Sequence, residues 1–127
     1  MVEPIFLTVE DVELMHARGI ALHGGQHGVR DRGSLESAVA TPQAGFGGEY
    51  AHPTIWLMAA AYAFHIAENQ AFIDGNKRAG LMAALNFLDL NGHIIEDTTG
   101  LYEAMIAISA RKMDKAGLAA LLESLAS

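Results

Sequence analysis

The stretch AENQAFIDGNKRAGL, residues 67–81, decides the reading of this chain. It interrupts two strongly apolar segments. Upstream, Ile55 to Ala67 is the longest nearly unbroken apolar run, broken only by His65. Downstream, Leu81, Leu85 and Leu88 fall on one stripe, which Met82, Phe87 and Leu90 widen. Both flanks therefore predict helices, over about 54–68 and from Asn76 or Lys77 to about 90, with Thr54 as the cap of the first. The first is apolar nearly all round, which makes it central to a bundle. The interruption places Gly75 and Asn76 at a helix start, where several backbone N–H groups lack partners and the helix dipole adds partial positive charge. Lys77 and Arg78 bring two formal positive charges to the same end. On a plain surface helix, cations belong at the opposite terminus.

Two readings of the loop stand side by side. In one, Gly75, Asn76, Lys77 and Arg78 form an anion cradle for phosphate, and Asp74 contacts Mg²⁺ held by phosphate oxygens. Phe72 is then the apolar peg of the loop. In the other, NKR is a solvated turn and Asp74 an N-cap. The loop matches neither the Walker pattern nor the dinucleotide glycine pattern.

Working outward, Thr8 caps a helix over about 9–22, with Asp11 in its first turn and Val12, Met15, His16 and Ile20 at helical spacings. HGGQHG (residues 23–28) ends it. A short helix over about 33–40 stops before Pro42. AGFGGEYAHP (residues 44–53) suggests a small hairpin or flap. Asn91-Gly92 closes the helix after the motif, GHIIED follows as an extended piece, and Thr98 or Thr99 caps a helix over about 99–111. The last helix spans about 114–125. Twenty-two alanines and three prolines support an all-α fold of about six helices with almost no sheet.

The 127 residues fit one domain, 1–127, with no repeat or linker. The absence of cysteine excludes disulfides and thiolate chemistry. A net charge of −7 argues against a dedicated nucleic-acid binder. No apolar run reaches the ~20 residues of a membrane span, and the start lacks the pattern of a secretory signal. These features predict a soluble, cytoplasmic protein. His23 and His27 are four apart, but the glycines between them make a surface loop more reasonable than a zinc site. Trp56, Tyr62 and Phe64 suit the core. Arg30, Asp31 and Arg32 suit a structural turn, with Arg30 or Arg32 able to reach a phosphate.

Residues 69–78, N-Q-A-F-I-D-G-N-K-R, resemble the Fic/Doc superfamily, specifically its death-on-curing (Doc) toxin branch, which typically reads N-H-P-F-x-D-G-N-K-R. GVRDRG (28–33) and NFLDLNGHIIED (86–97) are similar to family segments on either side, so the resemblance covers nearly the whole chain. It implies a Fic/Doc helical bundle with a short flap, residues 46–53, over the motif loop. It implies a toxin of a toxin–antitoxin pair, a kinase that transfers the terminal phosphoryl group of ATP to a threonine of elongation factor Tu and so inhibits translation. It also implies neutralisation by a Phd-like antitoxin. By the same resemblance Asp74 is the metal-side carboxylate, Gly75 lets the backbone approach phosphate, and Asn76, Lys77 and Arg78 contact it.

One departure matters. The family's catalytic His falls on Gln70 and its Pro on Ala71. That His is the general base, and an amide has no usable proton-accepting pKa. His52, near the flap, is a weak substitute. His65 is weaker still, because five residues of helix turn it ~140° from the Gln70 direction. Three functions remain open: a Doc-like phosphotransferase weakened or inactivated at Gln70, a non-catalytic module that binds nucleotide or antitoxin, and an AMP-transferring Fic enzyme. Lys77, where Fic enzymes have Gly, speaks against the last.

Overall fold

The computed structural model describes residues 3–126. Six helices run through it: α1 (Val9–His23), α2 (Arg32–Ala40), α3 (Ile55–Asn69), α4 (Asn76–Leu90), α5 (Leu101–Ser109) and α6 (Lys115–Leu125). A single 3-10 turn, Thr41–Gln43, follows α2 and carries Pro42 in its first turn. The only sheet among the described residues is an antiparallel hairpin of two short strands, β1 (Gly45–Phe46) and β2 (Glu49–Tyr50). The all-helical class, the element order and the hairpin agree with the sequence reading.

Local chemistry starts most helices. Thr8 Oγ1 accepts the Asp11 N–H at 3.1 Å while the Asp11 carboxylate accepts the Thr8 N–H at 2.9 Å, a reciprocal cap for α1. Asp31 caps α2, Thr54 caps α3 and Asp114 caps α6. One start differs from the sequence reading. The Asp97 carboxylate takes the Thr99 N–H, so that segment stays a turn and α5 begins at Leu101, after Gly100 in the left-handed region. The α4 helix starts at Asn76, as read; its cap position is Gly75, with φ +74° and no side-chain cap, so the second reading of the loop, with Asp74 as the cap, does not hold.

The α3 helix is the axis of the bundle, in contact with α2, α4, α5 and α6. Met58 to Ala63, Ile66 and Ala67 are all buried on it. Small residues let α4 lie very close. A methyl group on Gly80 would sit 2.6 Å from the Ala63 carbonyl oxygen, so only glycine permits this approach. Tyr62 and Phe6 pack on Phe87, with ring centroids 5.0 and 5.8 Å away. The Tyr62 hydroxyl, fully buried, accepts the Leu7 N–H at 2.9 Å and ties the N-terminal segment to α3. Asn91 does the same at the end of α4, exchanging two hydrogen bonds with the Ile5 backbone. The hairpin leans on this segment through Tyr50, whose ring lies 5.7 Å from Phe6 and whose hydroxyl donates to Glu3. With α3 and α4 clamped so closely, the six residues between them must turn sharply, and that turn carries the motif.

Candidate active site

Residues 70–75 join the end of α3 to the start of α4, and the turn between α1 and α2 holds them in place. Val29 and Phe72 form an isolated antiparallel bridge. Ala71 C=O accepts from the Arg30 and Asp31 N–H groups at 2.7 and 3.1 Å, and the Ile73 N–H donates to Gly28 C=O at 3.1 Å. This bridge uses the groups that flank Phe72 and leaves its own N–H and C=O facing α4. Asn76 takes both. Its Oδ1 accepts the Phe72 N–H and its Nδ2 donates to the Phe72 carbonyl, each at 3.0 Å. The Phe72 ring is buried, as a peg should be, and lies flat against His16 of α1, with centroids 3.8 Å apart.

The carboxylate of Asp74 is also held. Oδ1 accepts the Gly75 N–H at 2.8 Å and Oδ2 the Gln26 N–H at 3.2 Å. Gly25 allows this, because a Cβ there would lie 2.7 Å from Asp74 Oδ2. Gly25, which the sequence suggested was only part of a helix stop, therefore also makes room for the loop. Gln70 closes α3 in the left-handed region, φ +47° and ψ +46°, a costly conformation for a non-glycine residue. The Arg30 guanidinium donates to its carbonyl and helps hold it there. Arg30 thus serves the loop, and Arg32 is committed to Glu13 at 2.6 Å and Glu10 at 3.4 Å.

All six sequence-predicted residues, Gln70, Asp74, Gly75, Asn76, Lys77 and Arg78, line one open cavity of about 500 Å³. Glu68, Tyr102 and Ser109 are also part of its lining. Among the described residues, Lys77 and Arg78 form no ion pair. Arg78 lies 5.9 Å from the Tyr102 ring centroid, a cation–π distance. Two uncompensated cations beside the free N–H groups of α4 make this wall attractive to a polyanion. No group of three or more His, Asp or Glu side chains suited to a metal is found among the described residues.

The histidines sort differently from their spacing. His52 is not on the cavity wall. Its Nε2 and that of His65 both lie 3.0 Å from Lys115 Nζ. Burial first, and the Lys115 charge second, push both imidazoles toward neutrality, His65 down to about 4. His52 therefore offers no base to the cavity. His23 and His27 are exposed. His16 was legible only as a residue on the buried stripe of α1, and it proves to touch the motif loop directly: its Nε2 lies 2.6 Å from the Asp74 carbonyl oxygen.

The sequence that builds this site is similar to that of known proteins. The sequence profile of the Fic/DOC family matches residues 6–88, which span α1 to α4 and the whole motif loop. The chain belongs to the Fic/DOC family. It is 47% identical over 87 residues to the protein named Toxin Doc of Mycolicibacterium smegmatis, an alignment covering 68% of this chain and 65% of that protein. That share is just under two thirds of the mycobacterial relative's length. It is 27% identical over 119 residues to the Protein kinase doc of Escherichia phage P1, covering 94% of both chains. Both relatives lie on the Doc branch of the family, as this chain does. No helix among the described residues is long and apolar enough to cross a membrane.

Proposed function

We propose that this chain is the toxin of a Doc-type toxin–antitoxin pair, acting in the cytoplasm. Its cavity would bind ATP with Mg²⁺ and pass a phosphoryl group to a hydroxyl of elongation factor Tu, at a rate lowered by Gln70. The observation that carries this reading is the pair of unpaired cations, Lys77 and Arg78, at the start of α4 beside Asp74 in one cavity. The names of the two relatives, one a toxin and one a protein kinase, support it.

The residues present suit the nucleotide. Lys77 and Arg78 would neutralise the charge that gathers on the transferring phosphoryl oxygens. Gly75, without a side chain, keeps the backbone accessible. Asn76 has its side chain committed to Phe72, so what it offers an anion is its backbone N–H. Asp74 would hold Mg²⁺ with one carboxylate while phosphate oxygens and water complete the shell; bound there, the ion supplies charge neutralisation. Gln70 can orient the attacking hydroxyl but cannot take its proton, and loss of a general base costs ~10²–10⁴ in rate. Positioning and charge stabilisation would leave a residual rate.

The test is growth of cells expressing the chain as given or Gln70→His, without antitoxin, followed by mass spectrometry of elongation factor Tu. Arrest and added phosphate with Gln70→His, and little with the given chain, is the expected outcome. Added AMP would instead identify a Fic-type transferase. If neither form changes elongation factor Tu in the presence of ATP and Mg²⁺, the kinase reading fails. Gln70 itself favours one second reading, a non-catalytic module that still holds nucleotide or an antitoxin peptide. The antitoxin partner would be Phd-like, contributing a short amphipathic helix with acidic residues to meet the cations.

A further inference from the structure

We infer that His16 is a positioning residue, which fixes the direction of the Asp74–Gly75 peptide and, through it, the Asp74 carboxylate. The functional half of this inference rests on the anion-binding reading of the cavity; the structural half does not. A carbonyl oxygen can only accept, so His16 Nε2 carries the proton in its 2.6 Å contact with Asp74 C=O. The ring is buried, 4% exposed, and its face is locked on Phe72 with an interplanar angle of 4°. The donor therefore cannot swing away from the loop.

The lock has something to hold. Gly75 at φ +74° tolerates either sign of φ, so the peptide before it is free to flip. In a trans peptide the C=O and N–H point opposite ways. With the carbonyl turned onto His16, the Gly75 N–H points to Asp74 Oδ1 and holds it at 2.8 Å. A flipped peptide would set the Asp74 carbonyl oxygen against its own carboxylate and remove that donor. His16 thus selects the loop pose in which Asp74 lies beside the two cations.

The test uses the full chain, labelled for NMR and free of ligand, together with ATP titrations in the presence of Mg²⁺. The His16 imidazole proton is expected on Nε2, exchanging slowly. His16→Phe keeps a ring against Phe72 and deletes the donor. It is expected to broaden the Gly75 amide, speed its exchange at least tenfold, and weaken ATP binding about fivefold to tenfold. His16→Gln, with a donor at similar reach, is expected to restore both. Val12→Ala, on the same buried stripe, lowers the melting temperature and leaves the Gly75 amide unchanged. A proton on Nδ1 alone, with Nε2 bare, or a Gly75 amide unaffected by His16→Phe, overturns the inference. If His16→Phe does not fold, the tautomer in the parent chain decides it. If no form binds ATP, the proposed function fails, while the Gly75 measurements still judge His16.

Discussion

Replacing Asn76 by Ala removes two hydrogen bonds that nothing else in the loop replaces. The Phe72 N–H and C=O meet only Asn76, at 3.0 Å each, because the bridge to Val29 uses the groups on either side. A backbone group left without a partner on burial costs about 1–3 kcal/mol. Asn76 is only half-buried, so water can reach the vacated space and the low end applies to each group. The closed loop should lose about 2–3 kcal/mol, which shifts its opening equilibrium roughly 30- to 150-fold. Amide hydrogen exchange reads this directly. Phe72 and Ile73 should exchange faster by that factor, while Leu88 in the middle of the core stays protected. Asn76→Asp sharpens the test. It keeps the acceptor but sets a carboxylate oxygen against the Phe72 carbonyl, and it adds negative charge to the proposed phosphate site. Its loop should open less than that of the Ala variant, yet its affinity for ATP should fall further. Equal protection in the parent chain and Asn76→Ala would refute the clamp.

Three other perturbations have definite signs. Lys77→Ala and Arg78→Ala should each weaken binding of ATP about tenfold or more by calorimetry, with a smaller loss as salt rises, since each removes a charge-assisted contact. Tyr62→Phe leaves the Leu7 N–H without its acceptor and should cost about 1–3 kcal/mol, a fall of several degrees in the melting temperature. His65 has a folded pKa of about 4 against an ordinary 6.5, mainly through burial. The unfolded chain then binds more protons between these values, so stability is full above about pH 6.5 and declines as pH falls toward 4. The melting temperature should be lower at pH 5 than at pH 7, and His65→Phe should flatten that slope.

How much of this was legible in residues varies with distance along the chain. The α3–loop–α4 unit was legible because its signals are local: an apolar run, a Gly-Asn break and an amphipathic stripe. Convergence of Gln70 to Arg78 on one cavity followed from their lying within nine consecutive positions at one turn. The start of α5 was misread because two threonines looked like caps, whereas Asp97 spends its carboxylate on Thr99 and delays the helix to Leu101. His16 has its partner 58 residues away, and periodicity can bury a residue without saying what it touches. The convergence of His52 and His65 on Lys115 brings together a loop and two helices, and no spacing announces it. The glycines at 25 and 28 carried a signal that was read too narrowly, as a stop and not as room for the Asp74 and Ile73 side chains of the motif loop.

The supports of the motif loop share an order in time as well as a place. His16, Gln26, Gly28, Arg30 and Asp31 all precede residue 70, and Asn76 follows it by only a few residues. During synthesis, which delivers the chain from its N-terminus, the loop emerges with all of these anchors except Asn76 already made. The proposed anion cradle has all of its anchors once Asn76 follows. Tyr102 and Ser109, which also line the cavity, arrive only afterwards. The residues of the proposed phosphate site, Gln70 to Arg78, are therefore all synthesised before the last of the cavity lining, Tyr102 and Ser109.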